Sequence, residues 1–157
     1  MKTANIFSSS REQTLETARA FSHLLKGGEV IFLRGPIGAG KTVFVKGIAD
    51  ALGLKTSPTS ASFSLMKEYK NKSVRLFHID LFRLEENEVF NLGFEEMLED
   101  EHAIILAEWP DPVARIFPQD RLEMNFVLHE GDRRTIELKA DGRVSEKLLE
   151  GLCQTVR

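Results

Sequence analysis

A lysine and a threonine follow a glycine-rich stretch, and both side chains suit work on phosphate. Within "GPIGAGKT", Gly35, Gly40, Lys41 and Thr42 meet the pattern G-x-x-x-x-G-K-[ST]. Glycines let the backbone present N–H groups to phosphate oxygens. Lys41 can neutralise charge on the outer phosphates, and the Thr42 hydroxyl is a hard oxygen ligand for Mg²⁺. The spacing therefore predicts a phosphate-binding loop.

Two acids stand where a magnesium ion at such a loop would need them. Asp80 follows the apolar segment 76–79, and Glu108 follows the apolar segment 104–107. A phosphate loop takes its metal-holding acid from the end of a neighbouring strand. Glu108 ends the more buried strand, where a carboxylate is costly unless a charged partner compensates it. Asp80 and Glu108 are therefore the two candidates to hold Mg²⁺ beside Thr42, and either acid could act with Lys41 as a catalytic group.

The elements around the loop have the order that this motif requires. Val30 to Leu33 is an apolar strand, and an apolar stripe from Thr42 to Leu52 predicts a helix that Gly53 stops. This context separates a phosphate loop from an ordinary glycine-rich turn. An earlier helix begins at Ser9 or Ser10, since each serine has a capping-box partner three residues later, and ends at Gly27-Gly28.

The remaining patterns predict a mixed sheet with flanking helices. They are strands at 64–70 and 74–79, an acidic helix at 84–101, a strand at 103–107 buried on both faces, strands at 122–128 and 133–140, and a helix after Ser145. The predicted fold class is α/β: a three-layer P-loop NTPase whose sheet combines a parallel core with antiparallel strands. We expect residues 1–157 to form one nucleotide-binding domain.

The composition argues against one class of function and predicts a cellular compartment. The formal charge of −3 argues against a chain that grips nucleic acid through a broad basic face. Cys153 is the only cysteine, so no disulfide framework is possible and a reducing compartment is expected. Met1 to Ser10 lacks the apolar centre of a signal peptide, and no apolar run is long enough to span a bilayer. We therefore expect a cytoplasmic protein with no membrane partner.

Four segments together resemble a known family. "RGPIGAGKT" (34–42), "HIDLFRL" (78–84), "LGF" (92–94) and "LAEWP" (106–110) resemble, in order and spacing, the TsaE family. Its members are small P-loop ATPases of bacterial tRNA threonylcarbamoyladenosine biosynthesis. The resemblance covers roughly residues 10 to 140, and the combination of segments is more specific than the phosphate loop alone.

The resemblance implies a binding site for ATP and Mg²⁺. The loop residues that it assigns to the nucleotide are Gly35, Pro36, Ile37, Gly38, Ala39, Gly40, Lys41, Thr42 and Val43. Thr42 and Glu108 would ligate Mg²⁺, Asp80 would act near the γ-phosphate and the metal, and Trp109 would shape the site beside Glu108.

Two further nucleotide contacts follow from the same resemblance. The family brings the start of its first helix to the nucleotide, which here is near Arg11. It also brings an arginine of the last hairpin, which is Arg133 or Arg134; we assign Arg133.

One departure from the family concerns its switch segment, S-P-T-[FY]-x-L. Ser57-Pro58-Thr59 resembles its start, but the spacing fits residues 60–65 better, with Ser62 in place of the threonine and Ala61 in place of the proline. Ser62 keeps a hydroxyl for the γ-phosphate, while the loop loses the fixed φ of proline. Thr59 and Ser62 both remain candidates, and we assign Ser62.

The resemblance also implies partners and a slow reaction. The family works with the proteins TsaD and TsaB, so tRNA would be reached through their complex. No arginine finger is evident in the chain, with Arg83 the nearest candidate, so we expect weak hydrolysis alone and faster turnover with partners. The acidic stretch at 84–101 is either a docking face or a solvated surface.

Three alternatives remain beside this interpretation. A GTPase is disfavoured because the string Asn71-Lys72-Ser73-Val74 lacks the aspartate of N-K-x-D. A small-molecule kinase needs an acceptor pocket and a basic lid, and the arginines are scattered. A nucleotide-gated binding module with negligible turnover stays closest to the main interpretation.

Overall fold

Apolar runs and alternating segments form the strands of one mixed sheet. The computed structural model describes residues 1–55, 66–82, 84–89 and 94–156. Within these ranges the strands are β1 (Lys2–Ser8), β2 (Val30–Arg34), β3 (Met66–Lys70), β4 (Arg75–Asp80), β5 (Ala103–Glu108), β6 (Leu122–Leu128) and β7 (Arg134–Ala140). They lie in the order β1-β7-β6-β2-β5-β4-β3.

Parallel pairing at the centre of the sheet brings the candidate site together. β2 is parallel to both β5 and β6, and β4 is parallel to β5, whereas β3, β7 and β1 pair antiparallel at the two sides. In this register Asp80 lies opposite Glu108, and Glu108 lies opposite Leu33. The carboxyl ends of three neighbouring strands therefore meet beside the phosphate loop, and the predicted α/β fold with a parallel core is confirmed.

Helices cover both faces of the sheet and complete the three layers. They are α1 (Arg11–Ser22), α2 (Lys41–Ala51), α3 (Glu86–Val89), α4 (Phe94–Glu99) and α5 (Arg143–Thr155), with a 3-10 helix at Asp111–Ile116. One apolar cluster joins α1, α2 and α5 to the sheet. A second cluster joins α4 and the 3-10 helix to the opposite face of β2, β4 and β5. No helix in the described ranges combines the length and the apolar character needed to cross a membrane.

No sequence pattern predicts β1, and the structure explains why. Only Ile6 and Ser8 of this strand are buried, so it carries almost no apolar alternation. Its seven residues pair with β7 from Lys2↔Ala140 to Ser8↔Arg134. Backbone pairing with a distant part of the chain, rather than a local pattern, makes it a strand.

The first helix begins at one of the two predicted serines and ends early. Ser10 is the N-cap, because the backbone N–H of Gln13 donates to its Oγ at 3.1 Å. The helix ends at Ser22, and the prediction that it runs to Gly27-Gly28 is wrong. Those glycines have φ of +111° and +94°, and a Cβ on either would lie within 2.7 Å of a backbone oxygen near β5. They allow a close backbone approach instead of capping the helix.

The acidic segment is not helical over its whole predicted length. Residues 84 and 85 precede α3, and residues 100 and 101 follow α4 outside any helix; residues 90–93 lie outside the described part of the chain. The Asp100 carboxylate accepts from the backbone N–H of His102 at 2.9 Å and from Nη1 of Arg75 at 2.7 Å. This turn leads the chain into β5 and ends the helical run.

A distant carboxylate caps the last helix. Asp120 accepts hydrogen bonds from the backbone N–H groups of Val144 and Ser145 at 2.8 and 2.9 Å. A Cβ at Gly142 would lie 2.2 Å from the Asp120 carboxyl carbon, so only glycine admits the carboxylate there. Burial alone would raise the pKa of Asp120, but these hydrogen bonds outweigh it and the pKa is lowered.

Asp120→Ala should lower the free energy of unfolding by about 1 kcal/mol, since it removes an N-terminal helix cap. The folded pKa is below the unfolded value, so the stabilisation is fully present above about pH 3.9 and is lost as the pH falls through the folded pKa. Urea unfolding at pH 7 and pH 3 measures both effects. Asp141→Ala, an exposed acid before the same helix, is the control. An unfolding difference that stays constant between the two pH values would contradict this capping role.

Candidate functional site

Glycines shape the loop between β2 and α2. Gly35, Gly38 and Gly40 have φ of +133°, +80° and +101°, a region that residues with a Cβ rarely adopt. A Cβ at Gly35 would lie 2.6 Å from the backbone oxygen of Phe126, and one at Gly40 would lie 2.4 Å from Nη1 of Arg134. The β6–β7 hairpin therefore packs against the loop: a side chain at Gly35 would clash with backbone, and one at Gly40 would have to displace the Arg134 guanidinium.

Lys41 begins α2 and is nearly enclosed, with 5% of its surface exposed. Its Nζ donates to the backbone oxygen of Gly35 and, at 2.9 Å, to that of Pro36. The ammonium also lies 4.4 Å from the centre of the Trp109 ring. Burial lowers the pKa of Lys41, although the nearby carboxylates of Glu108 and Asp80 act in the opposite direction.

Glu108 ends β5 as a buried carboxylate with two side-chain partners. The Thr42 hydroxyl donates to its Oε1 at 3.2 Å and lies 3.4 Å from its Oε2. Nε2 of His78 lies 2.6 Å from Oε2. Asp80 lies opposite on β4, and its Oδ1 accepts from the backbone N–H of Phe82 at 3.0 Å. One hydroxyl and two carboxylates thus meet at the sheet edge.

Trp109 follows Glu108 with a strained backbone. Its φ of +54° is the only positive value at a non-glycine residue in the described ranges. Its N–H donates to the backbone oxygen of Leu33 at 3.3 Å, and its ring packs on Phe82 with 4.9 Å between ring centres. This conformation costs on the order of 1–3 kcal/mol, and it holds the indole beside the Lys41 ammonium.

Arg134 closes the opposite side of the loop. It is 8% exposed, and its two Nη atoms donate to the backbone oxygens of Ala39 at 2.9 Å and Asp132 at 3.3 Å. Among the described residues, its Nε is the one buried side-chain nitrogen or oxygen that has no hydrogen-bond partner. A guanidinium with a spare buried N–H is suited to an anion.

These groups line one cavity of about 490 Å³. Of the residues assigned from the sequence, those in its wall are Arg11, Ile37, Gly38, Gly40, Lys41, Thr42, Val43, Asp80, Glu108 and Trp109. Gly35, Pro36 and Ala39 belong to the loop behind this wall. Ser62, and with it the choice between Ser62 and Thr59, lies outside the described residues.

The structure places the two hairpin arginines differently: Arg134 lies in the cavity wall, whereas the assigned Arg133 does not. Arg133 is exposed, and its Nη2 lies 3.8 Å from a carboxylate oxygen of Glu130 in the same turn. Adjacent residues of an extended chain point to opposite sides, so an error of one residue decides which arginine faces the loop.

Three further residues contribute to the site and were not predicted from the sequence. Phe82 and Asp132 line the cavity, and His78 contacts Glu108. His78 had a usable signal, since it precedes Asp80 by two residues on one strand and so shares its face. Asp132 carried no such signal, because its approach to the loop depends on the β6–β7 hairpin.

Comparison with known proteins places the chain in a family. Residues 8–136 match the family model described as threonylcarbamoyl adenosine biosynthesis protein TsaE. The chain belongs to the TsaE family. A Bacillus subtilis protein named tRNA threonylcarbamoyladenosine biosynthesis protein TsaE is 35% identical over 141 residues, which is 90% of this chain and 88% of the relative. A Rickettsia bellii protein of the same name is 35% identical over 127 residues, covering 80% and 87%.

A solved structure shares the fold of the chain. The crystal structure of YdiB from Bacillus subtilis matches with a TM-score of 0.82 and 31% identity, covering 98% of this chain and 95% of that one. The resemblance found in the sequence segments is therefore confirmed. The matched TsaE region spans the phosphate loop, Glu108 and the hairpin that carries Arg134.

Gly40→Ala should destabilise the chain more than Gly38→Ala, by about 1–2 kcal/mol. Both positions have positive φ, so both variants carry backbone strain. Only at Gly40 does the added Cβ displace Arg134 from the Ala39 oxygen, because nothing lies within 4 Å of a Cβ at Gly38. Urea unfolding of the two variants measures the difference. An equal decrease in the free energy of unfolding would show that Arg134 moves aside without destabilising the chain.

Proposed function

We propose that the chain binds ATP with Mg²⁺ in the 490 Å³ cavity and hydrolyses it slowly, as the nucleotide-driven component of tRNA threonylcarbamoyladenosine biosynthesis. One observation carries the proposal. The Thr42 hydroxyl and the Glu108 carboxylate are in contact, at 3.2 Å, where the glycine loop meets Lys41. A hydroxyl and an acid at this place are the parts that a phosphate loop needs for its metal.

The loop fits a chain of phosphates. Gly35, Gly38 and Gly40 carry no side chain, and their positive φ lets the backbone curve around a ligand. The N-terminus of α2 adds its unpaired N–H groups and partial positive charge. Lys41 and Arg134 bring two nearly buried cations, one of which retains a buried N–H without a partner. These features favour a polyanion over an apolar ligand.

The donor set fits Mg²⁺. Thr42, Glu108 and Asp80 offer hard oxygen atoms, and the described residues contain no cluster of three or more His, Cys, Asp or Glu side chains suited to hold a metal by themselves. Mg²⁺ commonly takes one or two protein oxygens and completes its shell with water and substrate phosphates. When bound, the ion would supply positive charge that offsets the phosphate oxygens.

The chain's own residues then have separate tasks in hydrolysis. Lys41 would neutralise charge on the outer phosphates, and Glu108 or Asp80 would orient the attacking water. Trp109 would shield the ammonium from solvent by covering it. Arg134 is held by backbone oxygens of the loop and the hairpin, and Arg83 lies outside the described residues. With no finger assigned, we expect slow turnover by the chain alone.

Partner proteins would supply what the chain lacks. We propose TsaD and TsaB as these partners and the cytoplasm as the compartment, with one nucleotide-binding domain over residues 1–157. The charge of −3 is consistent with a chain that reaches tRNA through partners rather than through a basic face of its own.

Lys41→Ala should reduce ATP affinity and abolish hydrolysis, with a loss of about 100-fold or more, because the buried cation at the loop is removed. Lys46→Ala, an exposed lysine on the same helix, is the matched control. Calorimetry with ATP and Mg²⁺ measures affinity, and phosphate release measures turnover. Full activity of Lys41→Ala would refute the site.

Glu108→Gln should remove most of the Mg²⁺ dependence of nucleotide affinity while leaving metal-free binding intact. The amide keeps the shape of the side chain but not the negative charge that attracts the cation. Glu99→Gln, an exposed acid of α4, serves as the control. An unchanged magnesium titration would exclude Glu108 as a ligand.

Turnover should rise when purified TsaB, TsaD and tRNA are added to the chain. The measurement is phosphate release alone and in the mixture, with Lys41→Ala in both. Equal rates would contradict partner stimulation. Nucleotide binding without release in either case would identify a nucleotide-gated binding module.

A further inference from the structure

We infer that His78 is a positioning residue: it fixes the Glu108 carboxylate in the orientation that serves a cation beside Thr42. The inference rests on the proposed function, because the cation belongs to the proposed site. It goes beyond that proposal by assigning a role to a side chain that is neither a metal ligand nor in the cavity wall.

The sheet register brings the two side chains together. β4 and β5 are parallel, with His78 opposite Leu106 and Asp80 opposite Glu108. His78 and Asp80 lie two residues apart, so they share a face of the strand. His78 therefore lies below the row of carboxylates, toward the interior of the sheet, and its Nε2 reaches Oε2 of Glu108 at 2.6 Å.

Both side chains in this contact are nearly buried. The side chains of His78 and Glu108 are 10% and 4% exposed, so little water is available to replace the imidazole. By contrast, His23, His102 and His129 are all exposed. Among the described histidines, His78 is thus the one that satisfies a buried acid. Removing it would leave Oε2 of Glu108 with only the long, 3.4 Å contact to the Thr42 hydroxyl.

The shortest contacts of the two Glu108 oxygens differ: Oε1 lies 3.2 Å from the Thr42 hydroxyl, and Oε2 lies 2.6 Å from Nε2 of His78 and 3.4 Å from that hydroxyl. A carboxylate accepts hydrogen bonds and donates none, so Nε2 of His78 supplies the hydrogen to Oε2, while Thr42 donates its shorter bond to Oε1. Thr42 and Oε1 of Glu108 would hold the cation, and Oε2 would keep its short bond to His78. His78 would then hold the rotamer through metal loading and release, as outer partners of metal ligands commonly do.

Loss of His78 should therefore affect cation binding and metal-free nucleotide binding differently. In the proposed site, phosphate recognition depends on the loop, Lys41 and Arg134; Lys41 donates to Gly35 and Pro36 and Arg134 to Ala39, whereas His78 lies against Glu108. Loss of the imidazole should therefore weaken cation binding and spare metal-free nucleotide binding. A purely structural histidine would weaken both together, through loss of folded protein.

The test compares His78→Leu with His78→Gln, using Mn²⁺ as the probe cation. Electron paramagnetic resonance measures Mn²⁺ affinity with saturating ADP, and calorimetry in EDTA measures metal-free ADP affinity. His78→Leu should lose about 10- to 100-fold in Mn²⁺ affinity with unchanged metal-free ADP affinity. His78→Gln should recover most of the loss, because its amide nitrogen can reach Oε2. His102→Gln, at an exposed histidine, should match the wild-type chain.

Each outcome is decisive for one of the two claims. If the wild-type chain binds no Mn²⁺ in the presence of ADP, the proposed function fails. If it does bind Mn²⁺ and His78→Leu binds it equally well, the positioning role is overturned. Should His78→Leu not fold, His78→Asn replaces it, since its shorter amide stops short of Oε2. Equal Mn²⁺ affinity of the Asn and Gln variants would likewise overturn the inference.

Discussion

The contact between Thr42 and Glu108 is the constraint on which the rest of the site depends. It exists because β2 and β5 are parallel neighbours, in a register that puts Glu108 opposite Leu33. The loop then carries the chain from β2 over the end of β5, so that the first turn of α2 meets the last residue of that strand. Every residue of β5 is buried, and a carboxylate there is costly unless donors surround it. A hydroxyl and an imidazole provide them.

The hairpin of β6 and β7 constrains the loop from its other side. Phe126 approaches Gly35 through its backbone, and Arg134 approaches Gly40 through its guanidinium. These contacts favour glycine even in the chain without ligand, because a Cβ at Gly35 would meet backbone and one at Gly40 would displace the Arg134 guanidinium. The antiparallel part of the sheet, including β1, is therefore part of the site: β1 pairs with β7 along the whole strand and so supports Arg134 at its start.

Local signals account for what could be predicted from the sequence. The strand, loop and helix around Lys41 follow from composition and spacing within 25 residues, and Asp80 and Glu108 were found because each ends an apolar run. The features that could not be predicted from the sequence depend on distant parts of the chain. The early end of α1 and the pairing of β1 are set by tertiary contacts, and the choice of Arg134 over Arg133 is set by the register of a hairpin. His78 lies in one of the segments that resemble the family, but its contact with Glu108 could not be predicted without knowing that β4 lies beside β5.

The arrangement of charges explains why these groups can coexist in one cavity without neutralising one another. The two nearly buried cations, Lys41 and Arg134, donate to backbone oxygens of the loop and the hairpin. The buried acid Glu108 accepts from Thr42 and His78 instead. Direct ion pairs between the cations and the acid would satisfy both locally, and would have to be broken before a phosphate and a metal ion entered. Because the cations bind backbone oxygens and the acid binds a hydroxyl and an imidazole, neither charge is neutralised by the other. The low exposure of Lys41 and the strained backbone of Trp109 are consistent with a fold that bears a cost to keep this separation.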